Sequence, residues 1–246
     1  MKPWRMFSVF IAASIAIFLA AVWPFLAGGA SVQALATIRY VASGGCGSVS
    51  PCYTTIQEAV DASQSGDEIR VAAGLYPIQP GNDQVVHIDK DLTIQGGYTT
   101  SNWSTPDPDN NATIVNALGQ GRVILVDSAL NVTIEGLRMV YGNSTGLGSG
   151  GGIHVDGASL TLRHAWVMTN TAPTSEMGGG IYIVDGSLTI ESSVIQSNQA
   201  HSGGGVRILN SAVTIQDSQI LSNTANGGSS GWGDSHIALS PRWRAS

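Results

Sequence analysis

The sequence predicts an all-β chain, a right-handed single-stranded parallel β-helix (solenoid) with a short N-terminal capping helix. Three observations carry that expectation. A Gly-Gly-Gly-Ile/Val segment recurs at residues 150, 178 and 203. Apolar residues alternate inside each copy, and each copy runs on to a Val/Ile-x-x-Asn element.

The recurrence comes first, because a fixed period sets the architecture before any single element is placed. Gly150-Gly-Gly-Ile-His-Val-Asp-Gly-Ala-Ser-Leu-Thr-Leu162 aligns without gaps with Gly178 to Ile190 and with Gly203 to Ile215. The closing elements are Val140 to Asn143, Val167 to Asn170, Ile195 to Asn198 and Ile220 to Asn223. Ile153 and Val155, Leu160 and Leu162, then Val167 show the two-residue period of strands with one buried face. One such unit cannot bury its own apolar face. Stacking copies in parallel places Ile153, Ile181 and Val206 above one another at about 4.8 Å, and likewise Leu160, Leu188 and Val213.

The glycines and asparagines read as corner chemistry. A Gly triplet suits a tight bend, since Gly takes positive φ and admits close backbone approach. Asn143, Asn170, Asn198 and Asn223 are expected to form a column of stacked amides, each satisfied by its neighbours above and below.

Composition agrees with many short strands and turns. Disorder needs low hydrophobicity with high charge, whereas this chain is 43% apolar and only 11% charged. A net charge of −6 leaves no basic stripe for phosphates, which argues against nucleic acid as a partner. Lys2 and Arg5 precede an apolar run from Met6 to Leu26, as in an export signal cleaved after Ala34 with Val32 at the other critical position. Retention of that run as a membrane anchor is the alternative. Residues 1–34 are therefore read as signal peptide, 35–80 as cap and first coil, 81–230 as β-helix repeats and 231–246 as an aberrant tail.

Cys46 and Cys52 are the two cysteines. In an exported chain a small disulfide loop is the natural reading. A metal pair or a redox pair is the alternative, with neither nearby His nor Cys-x-x-Cys spacing to support it. Ahead of the repeats, Thr55 and Glu58 make a capping box, and Ile56, Ala59 and Val60 share one helical face. A solenoid needs such a cap, because an open end exposes unpaired strand edges. Strand-like runs follow at 68–72, 85–88, 92–94, 113–115, 123–126 and 132–134.

Thr55-Ile-Gln-Glu-Ala-Val-Asp-Ala62, Ser65-Gly-Asp-Glu-Ile-Arg-Val71 and Ala73-Gly-Leu-Tyr76 together resemble the opening of pectate-lyase-like right-handed β-helix proteins. The Gly-Gly-Gly-Ile repeats are similar to those of polymorphic outer-membrane-type surface proteins. Where that family favours Phe, this chain carries Val140, Val167, Ile195 and Ile220. The resemblance spans residues 38 to 230 and speaks to fold, since this fold hosts lyases, hydrolases, adhesins and passive surface proteins.

For a lyase, the resemblance implies clustered acidic calcium ligands and a basic residue on an outward strand face. Asp127, Asp156 and Asp185 fall just after strands, but Asp156-Gly157 and Asp185-Gly186 read as turns and are offset by one in the alignment. Calcium needs six or more oxygens, so no metal site is assigned and Ca2+ is the one cofactor left open. Catalytic residues stay unassigned. The ligand-binding candidates are His154, Tyr182 and Arg207, which alternate with the buried positions and so project outward as one column. Tyr suits ring stacking and Arg suits hydroxyl or carboxylate groups of a sugar chain. Any outward strand face carries polar residues, which is the plainer account of the same column. Thr133, Thr161, Thr189 and Thr214 form a second outward column, a Thr ladder suited to strands.

The expected function is that of an exported cell-surface or secreted binding, adhesion or structural protein without catalysis. A polysaccharide lyase or glycoside hydrolase of the same fold is the alternative. Extracellular polysaccharide or other cell-surface components are the expected partners, and a membrane only if the N-terminal segment is retained.

The tail breaks the pattern. Back-translated and read one base later, Gly231 to Ala238 permits Gly-Gly-Gly-Ile-Arg-Ile-Leu, which matches Gly203 to Leu209 but for one Val/Ile exchange. A frameshift is expected to have replaced later coils. Nucleotide sequence across and beyond codon 223 checks this: repeats continuing in the next frame establish it, and codons that forbid them end it.

Overall fold

Strands of four or five residues with one apolar face gain nothing alone, and here they are stacked coil upon coil. In the computed structural model every ladder between strands is parallel, and the strands form three long sheets of eight, six and five members plus a two-stranded one. The described residues are 36–173 and 175–227; the segment read as an export signal and the 231–246 tail lie outside them. The chain is an all-β parallel β-solenoid with one short helix, α1 (Ile56–Ala62). Among the described residues no helix is long and apolar enough to cross a membrane.

Each coil visits the three faces in turn. One coil runs Asn131–Glu135 on the first face, Leu137–Val140 on the second and Ile153–Asp156 on the third. Inward residues fall in columns. Ile69, Ile94, Ile134, Leu162, Ile190 and Ile215 pair in succession on the first face. Val86, Ile124, Ile153, Ile181 and Val206 do so on the third. Burying each such side chain contributes about 1.5–3 kcal/mol. The columns are closed off at one end by α1, which turns Ile56, Ala59 and Val60 inward against the first strands. Thr55 accepts from the Glu58 amide at 3.2 Å, and the Glu58 carboxylate accepts from the Thr55 and Thr54 amides at 3.0 and 3.1 Å. The Thr54 hydroxyl and these amides hold the Glu58 carboxyl below its usual range.

Beside that cap, Cys46 and Cys52 form a disulfide with their Cα atoms 5.8 Å apart, as the small-loop reading expects. The loop it closes packs on a separate aromatic cluster. Trp103 stacks with Tyr98, meets Tyr40 edge-on and donates its indole N–H to the Cys46 carbonyl at 3.1 Å.

The glycine triplets stack directly on one another, with Gly151 and Gly152 donating to the carbonyls of Gly178 and Gly179. Each glycine of a triplet answers a different demand. Gly150 has φ +84°, a side chain on Gly151 would overlap the Thr171 carbonyl, and one on Gly152 would overlap the Gly180 carbonyl and press on the Asn170 amide.

That amide belongs to a buried ladder of Asn170, Asn198 and Asn223. The Oδ1 of Asn198 accepts from the backbone and side-chain amides of Asn170 at 2.9 and 3.0 Å. Its Nδ2 donates to the Val167 carbonyl at 2.9 Å and to Asn223 Oδ1 at 3.0 Å. Asn143 is not a member, which corrects the expectation from its motif. Met139 pairs with Val167, so Gly142 occupies the ladder position and donates its N–H to Asn170 Oδ1 at 2.7 Å. Leu137 and Met139 already fill the strand's alternating inward positions, so Val140 is not the equivalent of Val167 and the Val-x-x-Asn match runs one residue late. Asn143 instead accepts from the Thr145 amide at 3.0 Å in a surface turn.

Replacing Asn198 by Ala removes the acceptor of the Asn170 backbone N–H and of one Asn170 Nδ2 hydrogen in the interior, at about 1–3 kcal/mol for each unsatisfied group. Urea denaturation is expected to show a loss of about 3 kcal/mol or more for Asn198→Ala and under about 1 kcal/mol for Asn143→Ala. Equal losses would remove Asn198 from its structural role.

Candidate functional site

Outward residues of a parallel sheet line up as strictly as inward ones, so each face presents columns of side chains at coil spacing. On the third face His154 pairs with Tyr182 and Tyr182 with Arg207. The column continues through Leu125 to His87 on the other side. The His154 and Tyr182 rings lie 5.1 Å apart, tilted by 39°. His154 is already engaged, its Nδ1 lying 2.8 Å from the Ser149 carbonyl. That geometry needs the proton on Nδ1, because a carbonyl only accepts.

The segment around Ser149 is fixed by Arg122, a residue that the sequence reading passed over. Arg122 is 4% exposed and donates to the carbonyls of Gly150 at 2.8 Å and of Leu147 and Ser149 at 3.0 Å. Burial pushes its pKa down, opposed by the charges of Glu176 and Asp83. The guanidinium stays protonated nonetheless and organises three carbonyls as its cage.

The three aspartates go to separate tasks. Asp127 Oδ1 lies 2.9 Å from His87 Nε2, Asp156 ends its strand, and Asp185 turns a corner at φ +52°. Among the described residues, no three His, Cys, Asp or Glu side chains converge to hold a metal ion. The His87–Asp127 pair joins strands forty residues apart, a distance that no local motif discloses.

A second site lies at the corner that follows the second face. Each coil turns there through one residue in the left-handed region: Tyr141 (φ 54°), Thr169 (57°), Ser197 (54°) and Ser222 (54°), with Leu118 (54°) one position off in the coil before. L-residues other than Gly, Asn and Asp avoid this conformation, and bulky or β-branched ones avoid it most. Tyr141 and Leu118 are nevertheless 53% and 51% exposed, so burial does not hold them there. Local hydrogen bonding helps, since Asn116 Oδ1 accepts from the Leu118 amide at 2.8 Å. Between the two side chains opens a cleft of about 530 Å3, walled by Asn116, Asn143, Thr169 and Thr171, with no charged lining residue. Among the described residues neither Asn116 Nδ2 nor Asn143 Nδ2 finds an acceptor, while the Oδ1 atoms of both are used by turns.

Compared with known proteins, the chain matches no family model, no curated protein and no solved structure. The site therefore rests on its geometry.

Desolvation lowers the His154 pKa, the Ser149 hydrogen bond opposing it. The unfolded chain then takes up that proton more readily than the folded one. The stability involved is complete above the ordinary imidazole value of about 6.5 and falls as pH drops below it toward the depressed folded value. Thermal melts at roughly pH 7.5 and pH 5 are expected to show a smaller acid loss for His154→Gln than for the parent chain. An unchanged acid loss would assign the effect to other groups.

Proposed function

We propose that this chain is an exported or surface-displayed solenoid that binds an extended extracellular polymer without cleaving it. The observation that carries this reading is the exposed Tyr141–Leu118 pair, held in the left-handed region across an uncharged cleft. Placing an L-residue there costs roughly 1–2 kcal/mol, which glycine would avoid. Strain of that kind concentrates at ligand clamps and active sites. The disulfide suits an oxidising, extracellular setting. The likeness of the first coils to pectate-lyase-like proteins, and of the glycine repeats to polymorphic outer-membrane-type surface proteins, supports the same assignment at the level of fold.

A second reading, a polysaccharide lyase or hydrolase, is favoured by the His87–Asp127 pair on the same face as His154 and Tyr182. The two readings separate in one assay. The chain is incubated with insoluble cell-wall polymer, and both the depleted protein and any released reducing or unsaturated ends are measured. Depletion without product is expected. Product formation that is lost in Asp127→Asn would establish the enzyme instead.

A further inference from the structure

We infer that the corner cleft takes an uncharged pyranose chain lying along the solenoid axis, with one ring stacked on Tyr141. This rests on the binding reading above and names its ligand class.

The lining residues come from three successive coils: Asn116 and Leu118 from one, Tyr141 and Asn143 from the next, Thr169 and Thr171 from the third. The long dimension of the cleft therefore follows the axis. Coils repeat at about 4.8 Å, close to the length of one ring in a linear glycan, so consecutive rings meet equivalent positions of consecutive coils. Tyr141 offers a flat apolar surface with a polar tip, matching the C–H face and hydroxyl rim of a pyranose. Leu118, one coil earlier, supplies a second apolar contact.

The walls are amides and hydroxyls. The Nδ2 donors of Asn116 and Asn143 remain unspent among the described residues, and Thr169 and Thr171 each both donate and accept. Sugar hydroxyls need that mixture. A polyanion needs cations, and none lines the cleft, while the chain as a whole carries −6. Beyond Thr169 the corner carries Ser197 and Ser222, so the apolar platform is confined to the cleft.

The left-handed backbone supplies a test that separates binding from folding. Tyr141→Gly removes the ring and relieves the positive φ together, so a purely structural residue would lose nothing except strain. Affinity gel electrophoresis of the full chain is run against hydroxyethylcellulose, galactomannan and arabinoxylan, with polygalacturonate as the anionic control. At least one neutral polymer is expected to retard the parent chain, and polygalacturonate to leave it unretarded. Tyr141→Phe keeps most of the retardation. Tyr141→Gly and Tyr141→Ala lose about tenfold or more in affinity, and Tyr141→Gly melts no lower than the parent. Retention of a neutral polymer that both truncations leave unchanged would overturn the site and spare the binding function. Retardation by polygalacturonate alone would overturn the ligand class and likewise spare the function. Failure of every soluble polymer and of the insoluble cell-wall polymer would sink both.

Discussion

Everything in this protein depends on parallel, in-register hydrogen bonding between coils that cannot bury themselves. A strand such as Ile181–Val184 contributes two inward side chains, and only the coils on either side convert them into an interior. Register is thus the central constraint. A slip of one residue would turn Ile181 and Ile183 outward and bring Tyr182 into the core. The asparagine ladder opposes such a slip with directional bonds. Its amides accept and donate only when three corners lie one above another, so the ladder fixes the register that hydrophobic columns merely favour.

Closing a coil in about 25 residues requires three sharp corners, and each corner is turned by a residue at positive φ. The other two corners are turned by Ala129, Gly157, Asp185 and Asn210 at one, and by Gly136, His164, Ser192 and Asp217 at the other. The corner after the second face departs from them by carrying two large exposed apolar side chains, Tyr141 and Leu118. Geometry alone does not call for an exposed aromatic ring at such a position. The cleft beside it is where the departure acquires a meaning.

How much the sequence disclosed follows from what repeats and what does not. The alignment of residues 150, 178 and 203 carried the register of the last coils, because identical spacing puts Ile153, Ile181 and Val206 at equivalent positions without knowledge of the corners. The column His154, Tyr182 and Arg207 followed by the same logic. Asn143 failed because a short motif was matched by its letters. The two-residue alternation through Leu137 and Met139 would have placed Gly142 at the corner. Tyr141 and Leu118 were illegible for a deeper reason, since the sign of φ at a non-glycine residue is set by the coil that closes around it. Arg122 and the His87–Asp127 pair were hidden by separation along the chain.

A solenoid also separates fold from function more cleanly than a globular domain does. Inward columns and ladder carry stability, so outward columns are free to differ from face to face. The first face bears the Thr133, Thr161, Thr189 and Thr214 ladder with an Arg163–Glu191 ion pair at 2.7 Å, an exposed contact worth little to stability. The third face gathers His87 and His154 with Tyr182 and Arg207, and the corner after the second gathers exposed apolar groups with amides and hydroxyls. Because coils repeat along a line, any of these surfaces suits a partner that is itself linear and repetitive. Of the three, the corner is where two large apolar side chains, Leu118 and Tyr141, are both exposed and held in the left-handed region. For that reason the proposed binding role falls to the corner and the plainer structural role to the threonine face.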